Sequence, residues 1–412
     1  MTQNGIPVLR SCNIQDDKIV LDDVVYVREA SEPRVFLNQG DLLICVRNGS
    51  RNLLGKCALI GAYDQPLAFG AFMAVFRSQW NPFIVHILRT EYFDRYLDDS
   101  NSTAITQLTQ KMLKEFLVPV PPIAEQERIV RYLATVMKYV SNIERSQQRL
   151  EDLLKQARSK VLDLAIRGKL VEQDPEDEPA SVLLERIHQE KLQMVADGKL
   201  KKKDIAKDSV IFRGEDNSYY ERIENGPAQP LEEDVFELPE SWQWTRLRAH
   251  VLAFGGKTPS TAKREFWENG NIPWVTSKDM KIDELTDSQM HITELAANDM
   301  NLVSKDSVLM VTRSGILKRL LPVAVNRMET TINQDLKALV PDEALLSEFL
   351  FLTLSAMDDK IRERYHKDGT TVDSLDFDRL INMPIPLPPI SEQNRIFVVS
   401  RSLLSELELI TK

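Results

Sequence analysis

The sequence lacks several features that point to particular classes of protein. It has no continuous apolar run of about 18 residues, the length that a membrane-spanning helix needs, so no membrane segment is predicted. The N-terminus, MTQNGIPVLRSCN, does not place basic residues ahead of an apolar stretch and is not predicted to be a secretory signal. The three cysteines, Cys12, Cys45 and Cys57, are odd in number and lack metal-ligand spacing. A cytosolic protein with reduced thiols is the simplest prediction.

Signatures of catalysis are also missing. No GxxxxGK[ST] phosphate loop occurs, because Gly255-Gly-Lys-Thr258 lacks the leading glycine at the required spacing. Asn81-Pro-Phe83 is a fragment of the Asn-Pro-Pro-aromatic element of amino-methyltransferases, and a helix start explains it better. The five histidines show no metal spacing. We therefore predict no catalytic residue, no bound metal and no cofactor for this chain alone.

The chain also has no excess of basic residues. The chain has 52 Lys and Arg against 62 Asp and Glu, a net charge of −10, which argues against a protein that simply coats nucleic acid. Any DNA affinity must come from local patches, helped by partners. The length of 412 residues predicts two or three domains, and an apolar content of 43% is enough for hydrophobic cores.

What the sequence does contain is an internal repeat. Residues 118–130 read VPVPPIAEQERIV and residues 385–397 read IPLPPISEQNRIF, with eight of thirteen positions identical. Two further pairs align at nearly the same offset: IPVLRSCNI (6–14) with IPWVTSKDM (272–280), and LLICVRNGS (42–50) with VLMVTRSGI (308–316). The chain is predicted to hold two versions of one unit, each a globular block followed by a long helix. Two similar surfaces suggest a function that needs two similar binding surfaces in one chain.

The repeated stretch predicts a proline-rich strap that leads into a helix. The first helix is expected to begin near Ala124 and to end at Gly168, and Ser391 is expected to cap the second. Apolar residues recur at heptad spacing and predict a seam along which the two helices pack antiparallel. The seam residues are Ile129, Leu133, Val136, Val140, Ile143, Leu150 and Leu154 on the first helix, and Ile396, Leu403, Leu407 and Ile410 on the second. Such a seam serves packing alone or also sets a distance, and the two explanations are compatible.

The remaining segments are less regular in pattern. Alternating apolar residues predict strands at 41–46 and 72–76, and a helix is expected over 81–97. A polar connector follows the first long helix, with a short helix at 181–196 and a basic run at 199–203. Its stretch SYYERIENGPAQPLEED is expected to be irregular and mobile.

Several motifs together resemble one known family, the specificity subunit of type I restriction-modification enzymes. They are LPESWQWTRL (238–247), GGKTPS (255–260), IPWV (272–275), TRSG (312–315), INQDLKAL (332–339) and PLPPISEQ (386–393), and the connector stretch GKLVEQDPEDEPASVLLERI (168–187). No single motif is decisive, but their order and the duplication are specific, and the resemblance covers nearly the whole chain.

The resemblance implies an α+β fold with two globular, mainly-β target recognition domains separated by two long antiparallel coiled-coil helices. Each domain would read one half of a bipartite double-stranded DNA target, and the helices would set the gap between the halves. Partners would be two modification (methyltransferase) subunits, which use S-adenosylmethionine, and restriction subunits, which use ATP and Mg. The chain itself would be non-catalytic, without a membrane contact, and would act in the cytoplasm of a bacterium or archaeon, associated with the nucleoid.

On this resemblance the chain divides into five segments. They are a first target recognition domain (1–122), a long spacer helix (123–169), a polar connector with a short helix (170–237), a second target recognition domain (238–389) and a second, short helix (390–412). The first block has no counterpart of LPESWQW or GGKTPS, because position 6 already aligns with 272, so about 30 residues of the usual domain are absent. A truncated gene, a misassigned start and a variant completed by another chain are the three explanations.

Loops with basic, amide and hydroxyl side chains are the expected DNA contacts, because these groups bind base edges and phosphates. The candidates are Arg10, Asn13, Arg47, Asn48, Ser50, Arg51 and Ser102 in the first block, and Lys257, Thr258, Ser277, Lys278, Arg313, Ser314, Lys318, Arg319 and Thr370 in the second. For each, an exposed loop residue without function is the competing explanation. Arg47 and Arg313 are favoured because they follow aligned strands, whereas Gln334 and Asp335 are expected to serve core structure.

Three other functions stay open at this point. The chain could be a coiled-coil scaffold that binds proteins and never DNA, or a truncated or regulatory member of the same family that assembles without specifying a complete site. A self-contained enzyme is the weakest alternative.

Overall fold

The computed structural model describes residues 5–28, 36–100, 107–197, 209–223, 226–367 and 372–410. The chain forms two compact units, Met1–Gln147 and Gln148–Lys412. Helices and strands occur in both, which confirms the predicted α+β class. In the part of the chain that is described, no helix is long and apolar enough to cross a membrane. The five-segment division stays a prediction.

The first unit is built from short strands followed by helices. Its strands are β1 Ile6–Leu9, β2 Ile14–Gln15, β3 Lys18–Ile19, β4 Val25–Val27, β5 Phe36–Leu37, β6 Leu42–Cys45, β7 Cys57–Leu59, β8 Leu67–Phe69 and β9 Met73–Phe76. Its helices are α1 Asn81–Ile87, α2 Glu91–Ser100, α3 Gln110–Glu115 and the first part of α4 Ile123–Ile166. One sheet has the order β4-β1-β8-β5 and another β7-β6-β9.

The second unit contains the remaining elements. Its strands are β10 Ser209–Arg213, β11 Tyr219–Ile223, β12 Gln229–Pro230, β13 Gln243–Arg246, β14 Val251–Gly255, β15 Ile272–Val275, β16 Glu284–Leu285, β17 His291–Ile292, β18 Ser307–Val311, β19 Val323–Asn326, β20 Thr331–Ile332, β21 Leu336–Pro341 and β22 Pro384–Leu387. Its helices after α4 are α5 Ala180–Ala196, α6 Leu247–His250, α7 Glu294–Ala297, α8 Ser347–Ala356, α9 Asp358–Arg364, α10 Phe377–Leu380 and α11 Ile390–Leu409. Its main sheet has the order β14-β21-β18-β19-β16.

The strand pairing confirms the duplication. In the first unit β1 pairs with β8 in parallel, with Val8 opposite Ala68. In the second unit β15 pairs with β20 in parallel, with Trp274 opposite Thr331. The buried strand β6 lies between β7 and β9, just as β18 lies between β19 and β21. Both units therefore share one strand arrangement.

Strands β13 and β14 of the second unit have no counterpart among the described residues of the first. Strand β13 pairs antiparallel with β22, and β14 pairs antiparallel with β21. In the first unit the segment 117–121, which matches β22 in sequence, is not a strand, and β9 pairs only with β6. Both strands lie within residues 243–255, ahead of Ile272, with which Ile6 aligns.

The long helix α4 runs from Ile123 to Ile166, and at 1.5 Å per residue its 44 residues span about 66 Å. It ends just before Gly168, as predicted. Gly168 has a φ of +65°, and a Cβ there would lie 2.5 Å from Cγ of Pro239, so glycine is required for both reasons.

Within the second unit, the end of α4 packs antiparallel to α11. Leu162 and Ile166 share a core cluster with Ile396 and Leu404. Arg158, one turn before this patch, pairs with Glu408 at the far end of α11 at 3.6 Å. The helices therefore run in opposite directions, as the heptad pattern predicted.

The predicted seam is only partly covered. Val140, Ile143 and Leu150 are exposed, and the other predicted seam residues of α4, Ile129, Leu133, Val136 and Leu154, are half-buried. On α11 the predicted Leu403 and Ile410 are exposed, whereas Leu404 and Ser400 are buried with Ile396, and Leu407 is half-buried. The heptad assignment assumed a partner along the whole helix, but α11 has 20 residues, and within the second unit it shares a core cluster with the last turns of α4.

Two local expectations were wrong. The helix expected over 81–97 is interrupted at residues 88–90, where the hydroxyl of Thr90 donates to the carbonyl of Ile87 at 2.7 Å. Ser391 does not cap the last helix, because the helix begins at Ile390 after Pro389, whose extended backbone already sets the start.

The connector is more ordered than expected. Strands β10, β11 and β12 form an antiparallel sheet across the stretch expected to be irregular. Arg246 on β13 holds it: its Nε donates to Glu221 at 3.0 Å and its Nη1 to Glu233 at 2.6 Å. Hydrophobic patterning could not foresee a sheet held by charge pairing. The basic run 199–203 lies outside the described residues.

Arg246→Ala is expected to lower the free energy of unfolding by about 3–5 kcal/mol, because two largely buried carboxylates would lose their counter-ion. The hydrogen bond from Arg246 holds the pKa of Glu221 below its usual value. This stabilisation is therefore present above the ordinary carboxylate pKa and is lost as the pH falls through the folded-state value. Chemical denaturation of Arg246→Ala and of the unchanged protein at neutral and acid pH measures this difference in stability.

The matched control is Arg213→Ala, since Arg213 on β10 pairs with Glu237 but both side chains are exposed. That change is expected to cost about 0–1 kcal/mol. Equal losses for the two variants would contradict the assignment.

Candidate nucleic-acid interface

In the second unit, one short segment gathers three loops that carry predicted contact residues. The segment is 332–335, between β20 and β21. The amide of Lys257 donates to the carbonyl of Ile332 at 3.1 Å, and the amide of Asn333 donates to that of Val275 at 3.0 Å. The amide of Arg313 donates to the carbonyl of Asp335 at 3.2 Å. The loops after β14, β15 and β18 therefore all border this segment.

Gly256 explains the glycine-rich motif. A Cβ at this position would lie 1.8 Å from the carbonyl oxygen of Ile332, so only glycine lets the loop pass the segment 332–335. The motif therefore serves close backbone packing, and it places Lys257 and Thr258 on the surface.

The side chains above this segment are exposed and polar. Lys257 donates its Nζ to the carbonyl of Asp299 at 3.1 Å. The hydroxyl of Thr258 hydrogen-bonds the side-chain oxygen of Gln334. Gln334 is exposed, so the expectation that it serves core structure was wrong; Asp335 is half-buried and accepts backbone hydrogen bonds, as expected. We add Gln334 to the candidate contacts, because glutamine can bind adenine through two hydrogen bonds.

The loop after β15 is braced from inside. The carboxylate of Asp279 is buried and accepts from the amides of Thr276 at 2.8 Å and Gln289 at 2.9 Å. This bracing leaves Lys278 exposed and Ser277 half-buried.

Arg313 follows the buried strand β18 and is exposed. Its backbone forms an isolated bridge with Ser374, and its guanidinium has no carboxylate partner within the described ranges. Ser314 next to it caps the following turn, with its hydroxyl accepting from the amide of Ile316 at 3.4 Å. Lys318 lies 3.7 Å from Asp373, and Arg319 is exposed.

Arg47 occupies the equivalent place in the first unit. It follows β6, its backbone bridges Gln107, and its amide donates to the carbonyl of Phe72 at 3.3 Å, as that of Arg313 does to Asp335. Its guanidinium lies over the ring of Phe72, 5.7 Å from the centroid. Ala71 stands where the second unit has Gln334, so the two arginines have equivalent positions but different neighbours.

Several candidates in the first unit hold their own turns. Asn13 is 1% exposed, and its amide donates to the carbonyl of Asp23 at 2.9 Å, so it offers no polar atom to a duplex here. Arg10 also bonds Asp23, at 3.3 Å, and Arg51 bonds Asp98 at 2.8 Å.

Of the four remaining candidates, two lie within the described residues and two do not. Asn48 is half-buried and donates to Ser11 at 3.2 Å, while Ser50 is exposed. Ser102 and Thr370 lie outside the described residues.

Metal-ligating clusters and reactive thiols are two kinds of group that could carry chemistry. No group of three or more His, Cys, Asp and Glu side chains among them could hold a metal ion. Cys57 is buried, and burial raises the pKa of its thiol to about 11, so it stays protonated at neutral pH. The exposed polar loops are suited to binding.

Comparison with known proteins points in one direction. The family model of the type I restriction modification DNA specificity domain matches residues 5–152 and 239–411. The chain is 38% identical over 156 residues to the EcoR124I/EcoR124II type I restriction enzyme specificity subunit of Escherichia coli, covering 37% of this chain and 39% of that protein. It is 30% identical over 176 residues to the MjaIX specificity subunit of Methanocaldococcus jannaschii, covering 41% and 39%. The matches thus span about two fifths of each relative.

A solved structure gives a likeness over a greater length. A chain from a study of complex assembly and conformational transition of the type I R-M system matches with a TM-score of 0.61, over 98% of this chain and 85% of that one. The identity is 18%, so this likeness shows the fold alone.

Proposed function

Since the chain belongs to the type I restriction-modification DNA specificity family, we propose that it is the sequence-specific DNA-recognition subunit of such a complex. Each unit would read one half of a split target in double-stranded DNA. The chain would carry no catalysis of its own and would position the subunits that do.

The single observation that carries this proposal is the equivalent placement of Arg47 and Arg313. Each is exposed at the end of a buried strand, and each is fixed by the same backbone bonds. Arginine binds O6 and N7 of guanine through two hydrogen bonds, and a rigid backbone lowers the entropy that the side chain loses on binding. Different neighbours, Ala71 and Phe72 against Gln334 and Asp335, suit two different half-sites.

The partners follow from the same proposal. Two modification subunits would supply S-adenosylmethionine and methylate adenine, and restriction subunits would supply ATP-driven cleavage in the cytoplasm. A net charge of −10 suits a subunit that binds DNA firmly only with basic partners. The exposed apolar residues of α4, among them Val140, Ile143 and Leu150, would form part of the surface for those partners.

Methylome sequencing tests the proposal. Cells that express this chain with its modification subunit are compared with cells that lack the chain. We expect a new split motif with methylated adenine in both halves. A complex that assembles but gives no new motif would contradict DNA recognition and favour a regulatory role within the same family.

A protein-binding scaffold is the second candidate, because acidic charge and an exposed apolar helix face are both found in such proteins. It predicts that purified complexes with modification subunits show no DNA affinity above that of the modification subunits alone. Sequence-dependent retention of DNA by the complex would exclude it.

A further inference from the structure

The two copies of the repeated strap have different surroundings. In the second unit, Pro384–Leu387 is the strand β22, and all four residues are buried. In the first unit the matching segment 117–121 is not a strand, and Leu117 and Val120 are 78% and 51% exposed. The same sequence is therefore covered in one unit and open in the other.

The second unit shows what covers the strap. Strand β13 pairs with it antiparallel, with Trp244 opposite Pro386. Two residues earlier, Trp242 packs edge-on against Phe349, with ring centroids 5.9 Å apart. Its indole N–H donates to the carboxylate of Glu392 at 2.9 Å. The cover is an extended segment that inserts one tryptophan beside the start of the helix.

The first unit retains the receiving groups. At an offset of 266 residues Phe83 matches Phe349, and at 267 residues Glu125 matches Glu392 and Gln126 matches Gln393. Both glutamines are buried and donate from Nε2 to the proline carbonyl five residues earlier, at 2.8 and 3.0 Å. One of the hydrogen bonds that hold the backbone of the second seat is therefore also present in the first.

The equivalent seat is an open groove. It has a volume of about 620 Å³ and is lined by Trp80, Phe83, Ile123, Gln126, Val130 and Arg131. Glu125 beside it is exposed, whereas Glu392 is 0% exposed beneath its tryptophan. Within the described residues the strap has no strand partner, although the carbonyl of Leu117 accepts from the hydroxyl of Tyr92 at 2.9 Å. Apolar walls next to such an extended segment are the features that accept an added strand.

We propose that this groove receives an extended segment of a partner polypeptide with the pattern of residues 238–246. The segment lies antiparallel along 117–121, inserts a tryptophan against Phe83, and directs the indole N–H to Glu125. Main-chain hydrogen bonds along the strap supply affinity, and the tryptophan supplies specificity. The proposal concerns a protein contact and does not depend on DNA recognition.

A labelled peptide provides the test. The peptide FELPESWQWTRL, residues 236–247 of this chain, is titrated with the full protein and followed by fluorescence anisotropy. We expect saturable binding with one peptide per chain. Trp242→Ala in the peptide is expected to weaken binding about tenfold or more, as truncation of a buried aromatic anchor does.

Protein variants locate the site. Glu125→Ala and Val120→Asp change exposed residues of the first unit, so the fold is retained and peptide binding should weaken. Glu144→Ala, exposed on the same helix away from the groove, should leave it unchanged. Absence of saturable binding, or equal binding by Glu125→Ala, Val120→Asp and the unchanged protein, would overturn the proposal. Equal binding by the three proteins would show that the peptide replaces strand β13 of the second unit instead.

Discussion

Arg313→Ala is expected to abolish discrimination at one position of one half-site and to leave the other half-site intact. Arg313 is exposed, lacks a carboxylate partner in the described part of the chain, and is fixed through its backbone. A bidentate contact with guanine is worth about 1–3 kcal/mol of discrimination, or about 5- to 150-fold. Methylation of a library of target variants by the assembled complex measures this preference base by base.

Two companion variants make this prediction specific. Arg47→Ala should relax one position in the opposite half-site, because Arg47 has the equivalent place in the first unit. Arg222→Ala, exposed in the connector sheet, should change neither half. Equal loss at both halves after Arg313→Ala would refute a base contact, since a lost phosphate contact or a misfolded subunit weakens all sequences alike.

The fold was predictable where the sequence repeats itself. The start of α4 was predicted to within one residue, since prolines fix the backbone before it, and its end was predicted by Gly168, whose φ is positive. The extent of the helix seam was not predictable. A heptad pattern shows that α4 has an apolar face, but it does not show which turns α11 covers, and Leu404 is buried where Leu403 was expected.

In the candidate site, too, some contact residues were predictable from the sequence and others were not. Alignment of the repeats found Arg47 and Arg313, because equivalent strand ends place both side chains outside. Three candidates have the side-chain chemistry of good contact residues but are held by partners within the chain: Asn13, Arg10 and Arg51. Their partners, Asp23 and Asp98, are 10 to 47 positions away in the sequence, so these bonds were not predictable. Composition does not distinguish a polar residue that closes a turn from one that faces solvent.

Deletion of residues 141–147 is expected to abolish methylation of the original split motif. All seven are exposed, and α4 begins in the first unit and ends in the second. The deletion shortens the helix by about 10.5 Å, which corresponds to about three base pairs. A heptad changes the azimuth of the following residues by only about 20°, so each unit keeps its own fold and helix face.

Three base pairs also turn the duplex by roughly a third of a turn, so the original half-sites would no longer match in distance or in phase. Any motif that the variant still methylates should have a shorter gap. The control retains Ile143 and replaces the six polar residues of 141–147 by helix-forming residues, which keeps the length and should keep the motif. An unchanged gap after the deletion, with both half-sites still methylated, would show that α4 does not set the spacing and that the units are positioned by their partner subunits instead.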